Sequence, residues 1–135
     1  MCTSTAPVQY RAVTDRDLVL ALDLRDDAEL IAAYVDWHRP GRVPLAVITA
    51  IRRAGIVEMT IHHVAERLVM IMRVTADFTP ERKAAIDADE PEVARWEALM
   101  DRYQQRLPGS AEKWVAMSPI FDLAEHRSPN PGEWR

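Results

Sequence analysis

The chain lacks several features that would assign it to a familiar class of protein. Its 135 residues contain one cysteine, Cys2, which cannot form an internal disulfide, so we expect a reduced, cytoplasmic setting. No apolar run approaches the roughly 20 residues that a membrane helix needs. Residues 1–5 have neither the charge nor the apolar stretch of a secretory signal. Membrane insertion and secretion are therefore not expected.

Positive charge is also in short supply. Lysine and arginine total 17, aspartate and glutamate total 21, and the net charge is −4. Proteins that hold a phosphate backbone carry a clustered positive excess, so nucleic acid is not an expected partner. Hydrophobic residues make up 48% of the chain, which is enough for one domain with a real core.

The motifs of several common chemistries are missing. We find no Gly-rich phosphate loop, no Gly-x-Ser-x-Gly elbow and no cysteine-based site, so nucleotide and acyl-transfer chemistry have little support. His62 and His63 are adjacent, but neighbouring strand residues point to opposite faces and cannot chelate one ion together. No other histidine or cysteine has ligand spacing to them, so no metal site is expected.

The first part of the chain with a regular pattern is a predicted strand followed by a predicted helix. Leucines at 18, 20, 22 and 24 alternate with other residues, and a period of two predicts a strand with one apolar face. Asp26-Asp27 then ends the strand and offers a helix cap. A helical stripe follows and should end near Arg39, because Pro40-Gly41 cannot continue it. The stripe contains Leu30, Ile31, Tyr34, Val35 and His38.

The remaining pattern predicts further helices and strands, separated by residues that favour turns and helix ends. Gly55 is placed to end one helix in the left-handed conformation, and Pro108-Gly109 to end another. The predicted segments are a helix at 45–54, a strand at 56–62, a hairpin loop at 63–67, a strand at 68–74, a helix starting at Thr79-Pro80, a longer helix from Pro91 to Leu107 and a strand at 113–121.

This order predicts an α+β, ferredoxin-like split βαβ fold with a four-stranded antiparallel sheet. The domain should span 16–124, with a flexible arm at 1–15 and a flexible tail at 125–135. Helices would cover one sheet face, yet the segment 68–72 is apolar on both faces. An exposed apolar face needs a partner, and a homodimer that closes two sheets into a dimeric α+β barrel would supply it.

Tyr34 and His38 are candidates for chemistry because residues four apart share one face of a helix. His38 falls in the last turn, where the helix dipole favours a protonated imidazole. A histidine beside a phenol can hold a polar ligand and pass it a proton. The alternative is that Tyr34 only packs and His38 is a solvated residue at a helix end.

Trp96 and Glu97 form a second candidate pair on the long helix. An indole can pack on the C–H face of a sugar ring, and a carboxylate can bind its hydroxyls. Because Trp96 also lies on the apolar stripe, simple core packing competes with this interpretation.

An ordered set of segments across residues 18–124 resembles the L-rhamnose mutarotase family. Each segment is weak alone, but together they are fairly specific, and they look closest to proteins labelled L-fucose or L-rhamnose mutarotase. The segments are ALDLRDD at 21–27, YVDWHRPG at 34–41, AIRRAGI at 50–56, WEALM at 96–100, YQQ at 103–105, KWV at 113–115 and IFDL at 120–123.

The resemblance implies a dimeric α+β barrel that interconverts the α and β anomers of a 6-deoxy-hexose without a cofactor. It implies His38 as the catalytic acid and Tyr34 as a substrate-binding residue. A substrate-contacting tyrosine of the family falls on Met59 here, and a tryptophan pair falls on Trp96 and Glu97. The family's Trp-Pro-Glu segment is replaced by Pro44-Leu45-Ala46, which removes an aromatic and a carboxylate from the expected pocket.

Two other functions stay open at this point. The chain could be a sugar-binding relative without catalytic activity, as the missing Trp-Pro-Glu would allow. Dimeric α+β barrels also include cofactor-free and haem-dependent oxygenases, and fold alone does not separate these chemistries.

Overall fold

The computed structural model describes residues 14–127, and within this range the helices and strands follow the predicted order, except that two short strands take the place of the last one. The strands are β1 (Arg16–Leu24), β2 (Ile56–Val64), β3 (Arg67–Val74), β4 (Gln104–Gln105) and β5 (Val115–Ala116). The helices are α1 (Ala28–Trp37), α2 (Leu45–Arg53), α3 (Pro80–Ala88) and α4 (Pro91–Asp101), and a single 3-10 turn follows at Leu123–Glu125. Most of the predicted arm at 1–15 and of the tail at 125–135 lies outside the described residues.

The sheet is antiparallel and has the order β2-β3-β1-β4, with β5 also paired to β1. This order is that of the split βαβ fold, so the predicted α+β, ferredoxin-like class is confirmed. The predicted fourth strand differs in detail. Its place beside β1 is shared by two short strands, which pair with β1 at Asp23–Leu24 and at Leu20–Ala21.

The C-terminal boundaries were predicted wrongly. The long helix ends at Asp101 rather than Leu107, because the chain turns at Tyr103 and its next residues bond to β1 instead of to the helix. The Tyr103 carbonyl accepts from the Arg25 amide at 2.9 Å. The predicted strand at 113–121 is reduced to two residues. The Met117 amide donates a hydrogen bond to the Val19 carbonyl of β1. The next backbone nitrogen that faces β1 is that of Pro119, which has no N–H, so the pairing stops there.

The hairpin and α1 differ from prediction by a few residues. The hairpin turn is the pair Ala65-Glu66 rather than a loop at 63–67, and Ala65 adopts a positive φ of 52°. Helix α1 ends at Trp37, with His38 as its C-cap, and Val35 is 49% exposed rather than on the buried stripe.

The N-terminal caps of α1 and α3 lie where the sequence predicted them. The Asp27 carboxylate accepts from two amides of α1, and the Thr79 hydroxyl caps α3.

The four helices pack on one face of the sheet. On that face the register aligns His63, Leu68 and Leu22 across β2, β3 and β1. The buried side chains form two adjoining clusters, whose largest fully buried members are Leu22, Leu24, Leu68 and Val74. The opposite face carries Val19, Val69 and Ile71 and has no helix over it among residues 14–127. No helix in this range is long and apolar enough to cross a membrane.

Candidate active site

A cavity of about 380 Å³ lies between α1 and the helix-covered face of the sheet. This volume is within the range of small-molecule pockets. Most of its wall is apolar, and its polar side chains are one phenol and two imidazoles. The lining residues are Tyr34, Val35 and His38 from α1, Met59, Ile61 and His63 from β2, and Leu68 from β3.

His38 is held by its own helix. Its Nδ1 lies 2.7 Å from the backbone carbonyl of Tyr34, and because a carbonyl only accepts, Nδ1 carries the hydrogen of this bond. The Nε2 atom is left for a ligand. Burial lowers the pKa of His38, and the bond to the Tyr34 carbonyl only partly opposes this. The pKa shift is opposite to the expectation that the helix end favours a protonated imidazole, and its largest cause is desolvation of the ring.

Tyr34 lies beside His38, with ring centroids 4.5 Å apart, and is 3% exposed. Its hydroxyl oxygen accepts a hydrogen bond from the Gln104 amide nitrogen at 3.1 Å. Burial raises the pKa of Tyr34 to about 12; the bond from Gln104 opposes this shift and the charge of Glu97 adds to it. The phenol therefore keeps its proton at neutral pH and can donate it in a hydrogen bond.

Trp96 is a core residue that supports His38 rather than a wall of the cavity. It is 8% exposed, and its ring meets that of His38 edge-on at 5.4 Å and that of Trp37 at 6.3 Å. Core packing, the competing interpretation of this residue, is therefore part of its role. The contact with His38 restricts the orientation of the imidazole ring.

Glu97 projects from the same helix into an ion-pair cluster. Its carboxylate lies 2.7 Å from the Lys113 ammonium, which also lies 2.7 Å from Asp101. Burial by itself lowers the pKa of Lys113, but its bonds to Asp101 and Glu97 prevail and the net shift is upward. Glu97 therefore shares one ammonium partner with Asp101, and it acts on Tyr34 through its charge rather than by contact at the cavity.

Of the five residues selected from the sequence, Tyr34, His38 and Met59 line the cavity, whereas Trp96 and Glu97 are not among its lining residues. Leu45, which stands in the segment that replaces the family's Trp-Pro-Glu, is 77% exposed.

Two polar residues at or near the cavity were missed in the sequence. His63 lines it, and strand parity could have revealed this, because residues 59, 61 and 63 of one strand share a face. Gln104 has no local signal, because its position depends on the pairing of β4 with β1. Gln104 also lines a second cavity of about 350 Å³ that has no imidazole or phenol; its other residues are Leu22, Arg25, Asp101, Gln105, Arg106 and Lys113.

Among residues 14–127 no group of three or more His, Cys, Asp or Glu side chains is arranged to hold a metal ion. The chemistry that the cavity residues can perform is proton transfer by imidazole and hydrogen bonding by phenol, next to an apolar wall.

Comparison with known proteins points to one family. The family model described as L-rhamnose mutarotase matches residues 18–123. The chain is 49% identical over 117 residues to a protein named L-fucose mutarotase from Xanthomonas campestris pv. campestris, covering 85% of this chain and 94% of that protein. It is 32% identical over 113 residues to a UPF0734 protein of Dictyostelium discoideum, covering 76% of this chain and 86% of that protein.

A solved structure supports the fold. The crystal structure of an L-rhamnose mutarotase from Formosa agariphila superposes with a TM-score of 0.58 at 16% identity, covering 79% of this chain and 97% of that chain. The family match across residues 18–123 and the relative that is 49% identical show that the chain belongs to the L-rhamnose mutarotase family of sugar isomerases.

Proposed function

We propose that this protein is a sugar mutarotase that interconverts the α and β anomers of a 6-deoxy-hexose such as L-fucose or L-rhamnose. The observation that carries the proposal is the pair Tyr34 and His38 at the wall of a cavity, with the His38 Nδ1 bonded to its own helix and Nε2 left for a sugar. The name of the relative that is 49% identical supports L-fucose in particular.

In this proposal the unprotonated Nε2 of His38 takes the proton of the anomeric hydroxyl. The C1–O5 bond breaks, and the same nitrogen gives its proton to the ring oxygen, which is the acid role implied by the family resemblance. Rotation about C1–C2 in the open aldehyde and reversal of these steps produce the other anomer. The lowered pKa of His38 favours the base form with which this cycle begins.

Other residues position the sugar. The Tyr34 hydroxyl donates to a sugar oxygen while Gln104 holds it from behind. Met59, Ile61 and Leu68 form an apolar wall that suits the C–H face and the methyl group of a 6-deoxy sugar. We place Trp96 behind His38 and Glu97 at a distance, so that neither makes the main contact with the ligand.

The proposal includes a homodimer. The open sheet face carries Val19, Val69 and Ile71, and large apolar side chains are exposed after β5, with Ile120 99% exposed. Two such faces packed together would remove this apolar surface from water. Sedimentation equilibrium tests this, and a monomer at micromolar concentration contradicts it. We also propose a cytoplasmic location, since a chain with one cysteine suits a reduced compartment.

Saturation-transfer NMR on L-fucose and L-rhamnose tests the function. The wild-type protein should accelerate exchange between the anomeric protons, and His38→Asn should lose about 10²-fold or more of that acceleration. His126→Asn, outside the cavity, serves as the control. Sugar binding without acceleration by the wild type would instead indicate a non-catalytic sugar-binding relative, and a Soret shift on haem titration would favour an oxygenase.

A further inference from the structure

We infer that His63 is a second catalytic acid–base residue, which works with His38 across the cavity on the same anomeric centre. The inference rests on the proposed mutarotase function. Ring opening moves two protons, one off the anomeric hydroxyl and one onto the ring oxygen, and these oxygens are bonded to the same carbon. One imidazole must perform the two transfers in turn, whereas two imidazoles perform them together.

The two histidines line the same cavity from different elements. His38 belongs to α1, and His63 belongs to β2 on the facing sheet. A cavity of about 380 Å³ between them can hold a small ligand such as a monosaccharide in contact with both.

Each imidazole is tied to a backbone carbonyl by one ring nitrogen. The Nδ1 of His38 donates to the Tyr34 carbonyl at 2.7 Å, and the Nε2 of His63 donates to the Ala65 carbonyl at 2.6 Å. Because carbonyl oxygens only accept, these bonds set the tautomer of each neutral ring. The opposite nitrogens, Nε2 of His38 and Nδ1 of His63, are left for proton exchange with a ligand.

The hairpin explains why His63, and not its neighbour, takes this position. His63 pairs with Leu68 and shares its face with Met59 and Ile61, all of which line the cavity. The Ala65 carbonyl that holds His63 belongs to the two-residue turn, where Ala65 has a φ of 52°. His62 lies on the opposite face, and its Nε2 is 3.0 Å from the Thr60 hydroxyl.

The opening step balances as follows. Nε2 of neutral His38 takes the anomeric proton, and the O–H electrons form the second bond between C1 and O1. The C1–O5 bond breaks with its electrons on O5, and O5 receives the proton on Nδ1 of protonated His63. The products are the open-chain aldehyde, protonated His38 and neutral His63. After rotation about C1–C2, the reverse transfers close the ring as the other anomer and restore both histidines.

The surroundings of the two rings suit this division of roles. His38 is half-buried against Tyr34 and Trp96, where a neutral ring is favoured. His63 is exposed at the rim of the cavity, where water can solvate its cationic form.

The test compares His63→Ala with His62→Ala, which removes the same imidazole from the next residue on the other face. By saturation-transfer NMR we expect His63→Ala to lower kcat for anomer exchange by about 10²-fold and His62→Ala to change it less than about 2-fold. Millimolar imidazole should restore part of the rate to His63→Ala only. Equal rates in the two variants would overturn the inference.

His63→Gln separates catalysis from hairpin structure. Its amide can still donate to the Ala65 carbonyl, but it cannot transfer a proton near neutral pH. A rate as low as that of His63→Ala, in a variant with wild-type thermal unfolding, supports proton transfer, whereas a wild-type rate in His63→Gln overturns it. Absence of acceleration by the wild type would count against the mutarotase proposal; a fast wild type with an equally fast His63→Ala counts against His63 alone.

Discussion

The amide nitrogen of Gln104 donates to the Tyr34 hydroxyl oxygen at 3.1 Å, across 70 residues of sequence. This bond occupies an acceptor position of the phenol and leaves its hydrogen free to be donated elsewhere. The Oε1 atom of the same carboxamide is buried and has no hydrogen-bond partner among residues 14–127. Gln104 therefore sets the direction of the Tyr34 hydrogen bond, and its Oε1 atom can accept a further hydrogen bond.

Gln104→Glu should reverse this relationship. A carboxylate cannot donate, so the Tyr34 hydroxyl would turn its hydrogen toward residue 104 and away from the sugar. We expect KM for anomer exchange to rise about 10-fold, the size of one lost hydrogen bond to a buried group. Gln105→Glu makes the same change on the next, exposed residue and should leave KM within about 2-fold. If Gln104→Glu retains its effect in a Tyr34→Phe background, the assigned direction is incorrect.

The depressed pKa of His38 should be visible in stability as well as in catalysis. Because burial lowers this pKa in the folded state, the unfolded chain binds the proton first as pH falls below 6.5. The free energy of unfolding of the wild type should therefore fall relative to that of His38→Asn as the pH is lowered from about 7.5 to about 5.5. Urea unfolding at the two pH values measures this difference. A relative gain for the wild type at low pH would mean that the helix dipole prevails after all.

Gly55 connects α2 to β2 at a φ of +96°, and a Cβ there would lie 2.6 Å from the Thr75 hydroxyl oxygen. Gly41 has a similar φ of +85° with open space around it. Gly41→Ala should thus lower the free energy of unfolding by about 1 kcal/mol, because it adds only backbone strain. Gly55→Ala should lower the free energy of unfolding by about 2–4 kcal/mol, because the close contact with Thr75 adds overpacking to the backbone strain. Chemical denaturation gives both values, and equal losses would show that Thr75 moves aside.

Arg67 on β3 pairs with the buried carboxylate of Asp23 on β1. The Asp23 side chain is 8% exposed, so Arg67→Met would leave a carboxylate in the sheet with little water to replace its partner. Because Arg67 itself is half-exposed, we expect a loss of about 1–3 kcal/mol rather than the full cost of an isolated buried charge. Arg95→Met removes an exposed partner of Glu92 on α4 and should change stability by at most about 0.5 kcal/mol. A similar loss in the two variants would refute the importance of burial here.

Features that depend on neighbours along the chain were predictable. The leucine alternation before Leu24 marks β1, and Thr79-Pro80 marks the start of α3, because strand pleating and helix capping are local geometry. The spacing of Tyr34 and His38 put their rings on one face of α1, and their centroids lie 4.5 Å apart. The segments that resemble the mutarotase family were likewise readable one after another.

Features that depend on pairing between distant segments were not predictable. The apolar spacing that continues to Tyr103 and Leu107 suggests a longer helix. Instead, the chain pairs there with the edge of β1 and forms β4. The same edge limits β5, because Pro119 cannot donate to it. The position of Gln104 beside Tyr34 follows from this strand pairing and not from the residues next to it in the sequence.

The sequence by itself thus determined the family, the split βαβ order and the pairing of Tyr34 with His38, since each rests on order and spacing along one chain. Only the tertiary structure decided the charge preference of His38, the ion pairing of Glu97 with Lys113 and the inclusion of His63 in the cavity wall. The physical reason is that desolvation, ion pairing and cavity lining are properties of groups brought together from separate elements. Periodicity can place a side chain on a face, but what lies opposite that face depends on how the elements pack.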